Sequence, residues 1–340
     1  MGRLMSLIWA LSHFLFWTLC IYASASPFAL AASPTPKLEK VTSAYTTIGG
    51  IITPIWIPLE KGIFQKYGLD VTMRFLSTGP VVLSALIAGE TDITTVGAEP
   101  IAGAILGGAD VSVIAFVTTT TPLSLHVVPT ITQVEQLRGA SVAVSRLASS
   151  SAYMLKVALK KAGLEPIRDV TVIQAGGIPE SLAALHGGKV QGAMLSPPIS
   201  YKAEELGFKR IWSGLGVEYP SLTLAARKAY LRNSEEVTLR FLRAIAEGVH
   251  IFKTDKEEAI KVMSKYTKVT DRTVLEKTYE DNREVHSQTL EPTSSGIKNI
   301  LETLGPTNPK AATARPEDFI DPRFVKKLEE SGYFRALTGR

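Results

Sequence analysis

Hydroxyl groups and glycines gather in short loops of this chain, each placed directly after an apolar segment that predicts a β-strand. Hydroxyl groups donate hydrogen bonds, and glycine lets backbone N–H groups approach a ligand closely. Several of these loops open predicted helices, whose free N–H groups and dipole favour an anion. The sequence therefore predicts a binding site for a small anion, built from these residues: Thr46, Thr47, Thr53, Ser77, Thr78, Gly79, Gly97, Ala98, Glu99, Thr118, Thr119, Ser145, Arg146, Ser149, Ser150, Gly176, Gly177 and Ser196.

The segment 145–151 is the most suggestive of these loops, because it joins a cation, several hydroxyl groups and the start of a helix. One serine is needed to cap the helix. Three serines in a row exceed that need, so we expect Ser149 or Ser150 to contact the ligand. Arg146 has two open interpretations, pairing with an anionic ligand or pointing into solvent.

Thr118 and Thr119 end a predicted strand just before the chain leaves the first half of the fold. They are candidates for ligand contact, although threonine is also common in strands for packing reasons. Glu99 follows another strand. It can bind an amine or hydroxyl group of the ligand, or remain a solvated loop charge.

Catalytic constellations are weak in this sequence. The histidines after the N-terminal segment lack metal-ligand spacing and partner residues: His126, His186, His250 and His286. A nucleophile elbow, a phosphate-binding loop and a dinucleotide fingerprint are all missing. We therefore expect neither an enzyme nor a metal or cofactor site.

The elements that must position the loops repeat themselves. Asp70-Val71-Thr72 recurs as Asp169-Val170-Thr171, an offset of 169 − 70 = 99 positions. In each copy a strand is followed by a loop, a helix ending at glycine and a second strand. Two similar units predict two lobes with a cleft between equivalent loops.

Strands and helices alternate along most of the chain, which predicts a two-lobed α/β fold with mostly parallel sheets flanked by helices. We place lobe 1 at residues 33–122 and 225–340 and lobe 2 at residues 123–224. Crossings near Pro122 and Ser221 form a hinge that permits closure around a ligand. After Glu235 the pattern is helical, and we expect this tail to pack on lobe 1.

Residues 1–32 have the pattern of a secretory signal peptide: a basic start, an apolar stretch and small residues suited to cleavage near position 25 or 31. A membrane anchor is the alternative. Cys20, the only cysteine, lacks the preceding small residue of a lipoprotein signal. These features predict a periplasmic protein without disulfides.

The formal net charge of +5 fits an anionic ligand only weakly, since the basic residues are scattered among acidic ones. Nucleic-acid binding needs a basic patch or stripe, which the sequence lacks. We expect a monomer.

Three segments together resemble a known family. Residues 57–71 (IPLEKGIFQKYGLDV), 85–92 (ALIAGETD) and 137–144 (LRGASVAV) are similar to motifs of the NMT1/THI5-like solute-binding proteins, which include nitrate, sulfonate and taurine components of ABC importers. The resemblance implies the type II periplasmic-binding-protein fold, ligand capture in the loops named above, and delivery to a permease in the inner membrane. The ligands of those importers do not carry over, because the contact loops differ; from the hydroxyl groups and helix starts we expect a small organic anion of the sulfonate or carboxylate kind.

The chain departs from that family pattern at Gln191, where aspartate is common, and at Ser196-Pro197-Pro198. Thiamine-pyrimidine synthases of the family use a Cys-rich loop and a catalytic histidine, and this chain has neither. An enzyme on the same fold and a ligand-sensing module stay open as alternatives to a transport protein.

Overall fold

Two five-stranded sheets organise the chain in the computed structural model, which describes residues 37–306 and 308–339. The signal-peptide prediction for residues 1–32 lies outside that range. In the part of the chain that the structure describes, no helix is long and apolar enough to span a membrane.

The strands are β1 (Glu39–Tyr45), β2 (Leu69–Phe75), β3 (Ile93–Val96), β4 (Val111–Phe116), β5 (Ser124–Val127), β6 (Ser141–Val144), β7 (Thr171–Gln174), β8 (Gly192–Leu195), β9 (Lys209–Ser213) and β10 (Thr223–Arg227). The helices of the two α/β halves are α1 (Thr53–Glu60), α2 (Ile63–Lys66), α3 (Gly79–Ala88), α4 (Ala98–Leu106), α5 (Ser150–Lys161), α6 (Ile178–His186) and α7 (Ile199–Glu205). The C-terminal helices are α8 (Lys228–Asn233), α9 (Glu235–Thr254), α10 (Lys256–Thr267), α11 (Arg272–Arg283), α12 (Ser294–Leu304), α13 (Pro309–Thr313), α14 (Arg323–Glu330) and α15 (Tyr333–Thr338). Short 3-10 helices cover Gly50–Ile52, Val134–Leu137 and Pro316–Phe319.

Each sheet has parallel strands and one strand that runs against its neighbours. The first sheet has the order β2-β1-β3-β10-β4, and the second has the order β7-β6-β8-β5-β9. Strand β10 pairs antiparallel with β3 and β4, and β5 pairs antiparallel with β8 and β9. Strands β5 and β10 each follow a crossing of the chain, so β5 begins the second sheet and β10 returns to the first. The predicted two-lobed α/β fold is confirmed.

The offset of 99 positions in the sequence also relates equivalent strands of the structure. Subtracting 99 from β8 at residues 192–195 gives 93–96, the bounds of β3. The helix of the first copy, α3, ends at Gly89, which adopts φ 83° and caps the helix as expected from its sequence. The repeat therefore marks two equivalent strand–helix–strand units, one in each sheet.

The C-terminal helices cover the first sheet, and α9 is the central one. Four apolar residues at helical spacing along it are buried: Phe241, Ile245, Val249 and Phe252 are at most 1 % exposed. Phe241 stacks on Phe64 with ring centroids 5.2 Å apart, so α9 joins the core of the first half. Helices α11 and α12 also reach the second half, as Tyr201 donates to Asp281 and Lys156 Nζ donates to the Thr303 carbonyl over 2.6 Å.

The chain passes between the two sheets twice, through residues 117–123 and 214–222. Hydroxyl groups tie the two passages together. Thr118 Oγ1 accepts from the Leu222 N–H at 2.9 Å and lies 2.9 Å from Ser221 Oγ, which donates to the Thr120 carbonyl at 2.7 Å. This pairing makes the two passages one hinge.

Candidate functional site

A cavity of about 420 Å³ lies where the carboxyl ends of the parallel strands of both sheets face each other. Cavities of a few hundred cubic ångströms are the usual size of sites for small organic molecules. Many of the predicted loop residues line it: Thr46, Thr47, Ser77, Thr78, Gly79, Gly97, Ser145, Ser149, Ser150, Gly176, Gly177 and Ser196. The predicted loops thus meet around one space, as equivalent loops of two lobes should.

Three serines of the second sheet bond to one another at the start of α5. The hydroxyl oxygens of Ser145, Ser149 and Ser151 form a triangle with 2.9 Å sides. Ser149 is the N-cap residue of α5, and Ser151 Oγ accepts from the Ser145 N–H at 2.9 Å. These contacts fix the loop, so most of the serine cluster serves to shape the site.

Ser150 differs from its neighbours because its hydroxyl faces the first half of the molecule. Tyr219, in the second hinge passage, donates its O–H to Ser150 Oγ over 2.6 Å. Since that contact uses Ser150 as an acceptor, the Ser150 hydroxyl proton can be donated to a ligand. The first N–H groups of α5 have no partner inside the helix and add further donors.

Thr78 supplies the matching donor from the first sheet. It is the N-cap residue of α3, is 3 % exposed and lines the cavity. Its Oγ1 has no hydrogen-bond partner within the described chain. A buried hydroxyl without a partner costs free energy unless a water or ligand satisfies it. Thr78 is therefore suited to bind a polar group in the cavity.

The start of α4 is already occupied. The Ala98 N–H donates to the Pro220 carbonyl at 3.0 Å, and the Glu99 N–H bonds to the Tyr219 hydroxyl. A Cβ atom at Gly97 would meet Ser150 Oγ and come within 2.7 Å of the Tyr219 oxygen. Gly97 thus allows the two halves to touch at this point.

Glu99 and Ala98 lie behind the cavity wall and do not line it. Burial raises the pKa of Glu99 to about 7, and the charge of Lys156 on α5 opposes the rise. Its Oε2 has no hydrogen-bond partner in the described part of the chain. Both predicted roles of Glu99, a ligand contact in the cleft and a solvated loop charge, are therefore wrong: its side chain is buried, and the hinge residue Tyr219 covers the start of α4.

The structure places the other predicted residues away from the cavity lining. Thr118 is buried in the hinge, and Thr119 is exposed, with its N–H bonded to the Val285 carbonyl at 3.0 Å. Thr53 is fully buried in the first turn of α1. The Arg146 side chain is exposed and does not line the cavity, and its carbonyl accepts a hydrogen bond from the Ser149 hydroxyl.

Apolar side chains form much of the cavity wall, and no local sequence pattern predicted them. Ile48 lies in the loop after β1 and Phe75 ends β2, and each is more than 40 % exposed. Thr267 ends α10, and Val269 follows it in the connection to α11. No local pattern marks these two as site residues, because only the tertiary fold brings the tail to the cleft. Further lining residues that were not predicted are Ile51, Val96, Pro100, Thr121, Pro122, Leu123, Ser151, Ile178, Pro179, Glu180, Pro198, Ile199 and Ser221.

Glu180 is the one charged side chain among the described residues that line the cavity. It is exposed and occupies the first turn of α6, whose N-cap residue is Gly177. A Cβ atom at Gly177 would collide with Glu180 Oε2, so the carboxylate folds back over the start of its own helix.

Two of the histidines, His286 and His126, are buried and close to polar groups of the fold itself. Burial lowers the pKa of His286 to about 4, and its Nε2 lies 2.8 Å from the Ile51 carbonyl oxygen. His126 is buried 3.4 Å from a carboxylate oxygen of Glu204. Within residues 37–306 and 308–339, no group of three or more metal-binding side chains comes together.

Comparison with known proteins gives consistent matches. The model of the NMT1-like family matches residues 35–267. A Bacillus subtilis protein named as a binding protein, YtlA, is 25% identical over 283 residues, covering 80% of this chain and 84% of the relative.

Solved structures share the fold at lower identity. The alkanesulfonate-binding protein SsuA of Xanthomonas axonopodis, bound to MOPS, has a TM-score of 0.69 and 19% identity, covering 84% of this chain and 96% of its own. The periplasmic nitrate-binding protein NrtA of Synechocystis has a TM-score of 0.74 and 13% identity, covering 87% and 90%.

Proposed function

Because the chain belongs to the NMT1-like family, we propose that it is the solute-binding component of an ABC importer and captures a small organic anion between its two halves. The relative YtlA and the structural neighbours SsuA and NrtA are named as binding proteins. The proposal extends that role to this chain, without catalysis.

One observation carries the choice of an anion: two helix starts, one from each sheet, present donors to the same cavity. Thr78 at the start of α3 has a buried hydroxyl without a partner, and Ser150 at the start of α5 has a proton free to donate. Helix starts carry partial positive charge and stabilise anions. Neutral donors of this kind can hold an anion without a lysine or arginine in the cavity.

The size and walls of the cavity favour an organic ligand over an inorganic ion. A volume of about 420 Å³ greatly exceeds that of a single small oxyanion. Ile48, Phe75 and Val269 offer apolar surface that an alkyl or aryl body would bury. Sulfonates and carboxylates with such a body fit both parts of the site.

The proposal includes a location and a partner. Residues 1–32 serve as a cleavable signal peptide, and the monomeric protein works in the periplasm with an inner-membrane permease. Lobe 1 comprises residues 33–122 and 225–340, and lobe 2 comprises residues 123–224. Closure about the hinge of residues 117–123 and 214–222 traps the ligand.

Calorimetric titration with a panel of alkyl and aryl sulfonates and carboxylates tests the proposal. We expect at least one monoanion to bind and to raise the melting temperature, since a ligand stabilises the folded state that binds it. Ser150→Ala should weaken that binding about tenfold, whereas the exposed Ser84→Ala on the outer side of α3 should not. Binding only by cations or neutral molecules, or equal affinity of the Ser150 variant, would contradict the proposal.

A further inference from the structure

We infer that Glu180 makes this site selective against a second negative charge, so that it takes monoanions whose far end is neutral or cationic. The inference rests on the proposed function and specifies its ligand class. It assigns a specificity role to a residue that forms no part of the anion-binding donors at Thr78 and Ser150.

The described residues that line the cavity carry negative charge and no positive charge. Glu180 is the one ionisable side chain among the described lining residues, and neither a lysine nor an arginine lines the space with it. A second anionic group of a ligand would therefore meet a carboxylate with no cation of the lining to offset it. Ile178 and Ile199, which line the same space, offer that second group no compensating charge.

The position of Glu180 also decides which helix starts can hold the anion. Its carboxylate lies over Gly177 at the start of α6 and compensates the positive end of that helix. The starts of α3 and α5 carry no acidic residue in their first turns. The ligand anion consequently binds at α3 and α5, and its tail extends towards the carboxylate at α6.

A purely structural role for Glu180 is the competing explanation, because acidic residues commonly stabilise the first turn of a helix. The two roles differ in their consequences. A capping role changes the stability of the protein but leaves the ranking of ligands untouched. A specificity role changes the ranking of ligands that differ only in the charge of their far end.

The test uses three ligands with one carbon chain: propane-1-sulfonate, propane-1,3-disulfonate and 3-aminopropane-1-sulfonate. Calorimetry on the wild type should show that the disulfonate binds at least tenfold more weakly than the monosulfonate. Glu180→Gln should remove most of that difference and should weaken the amino compound relative to the monosulfonate. Raising the salt from 20 to 500 mM should shrink the discrimination in the wild type, as expected for charge repulsion.

Glu135→Gln is the matched control, since Glu135 is also exposed and lies in the first turn of a short helix. It should leave all three affinities unchanged. Monosulfonate binding with an unchanged ranking in Glu180→Gln would overturn this inference and leave the proposed function standing. No binding by any of the three, or by the corresponding butanoate, glutarate and 4-aminobutanoate, would overturn both.

Discussion

The starts of α3 and α6 occupy equivalent places in the two halves of the molecule but present opposite electrostatics. Val81 in α3 corresponds to Glu180 in α6, since 180 − 81 = 99. Both helices carry proline at the preceding position, at Pro80 and Pro179. The backbone plan is shared, whereas the residue that follows the proline changes from apolar in α3 to acidic in α6, and of these two only Glu180 lines the cavity.

This difference shows how two copies of one backbone plan can give a site two ends with different electrostatics. Two identical halves would offer a ligand two equivalent ends. Here the start of α3 supplies the unpartnered hydroxyl of Thr78, and its counterpart at position 177 is a glycine covered by a carboxylate. We therefore expect the proposed ligand to bind in one preferred orientation, which follows from a few substitutions between the copies.

Exchanging the first helical residue between the copies should have the largest effect. Ile178 of α6 corresponds to Gly79 of α3, where a Cβ atom would lie 2.7 Å from Pro100 Cγ and 3.1 Å from Val96 Cγ2. Gly79→Ile should cost about 3 kcal/mol of unfolding free energy through overpacking. Urea unfolding measures this loss. The reciprocal Ile178→Gly, at a half-buried position, should cost about 1 kcal/mol; equal losses would show that the two starts are packed alike.

Glu99 gives a second comparison between the two halves, because its counterpart in the second copy is Pro198, at an offset of 198 − 99 = 99. Burial raises its pKa to about 7 in the folded protein from an ordinary value near 4.5. The folded state then binds more protons than the unfolded state between these values, so its stability falls as the pH rises through that window. Lys156, Tyr153 and Tyr219 are the ionisable groups that interact with it.

Glu99→Gln should abolish this dependence. We expect the wild type to lose about 2 kcal/mol of unfolding free energy from pH 5 to pH 8 relative to the glutamine variant. Urea unfolding of both proteins at several pH values measures the difference. Parallel curves for the two proteins would mean that Glu99 stays ionised in the folded state.

Val81→Glu gives α3 the acidic residue of α6. Val81 is 41% exposed, so the fold should tolerate the change. The carboxylate should compensate the positive helix start and repel the bound anion, which we expect to lower its affinity about thirtyfold. Calorimetry with the tightest monoanion measures the loss, with Val81→Gln as the uncharged control. An unchanged affinity would place the anion elsewhere in the cavity.

Thr78→Val should have the smallest effect. Valine keeps the shape of threonine, and the lost hydroxyl has no protein partner within the described chain. The melting temperature without ligand should therefore stay the same or rise slightly. Loss of one hydrogen bond should weaken anion binding about fivefold, or about 1 kcal/mol. A lower melting temperature with unchanged affinity would assign Thr78 to packing instead.

The fold followed from local patterns, because each pattern depends on residues close in the chain. Ile93–Val96 reads as a buried strand, and Phe241 and Val249 share one helical face, whatever surrounds them. The site was predictable only as far as strand ends determine it. Tyr219 lies 120 positions after Glu99 (219 − 99), and yet it covers the start of α4 and removes Glu99 from the cavity.

Which charged side chains face the cavity was the hardest property to predict from the sequence. Arg146 stands beside Ser145, which lines the cavity, but its own side chain is exposed and does not line it. Glu180 has the spacing of an ordinary first-turn acid, so nothing local distinguishes it from Glu135. Which of these charges faces the cavity depends on how two distant sheets meet.

The return of β10 to the first sheet sets an order of assembly during synthesis. The second sheet is made of residues 124–213, a continuous stretch that can pair as soon as it has emerged. The first sheet keeps β3 and β4 apart until β10 arrives, 227 − 116 = 111 residues after β4 ends. At ordinary rates of synthesis that delay is on the order of 10 s. The half made first is therefore completed last, and its unpaired strand edges must stay protected in the interval.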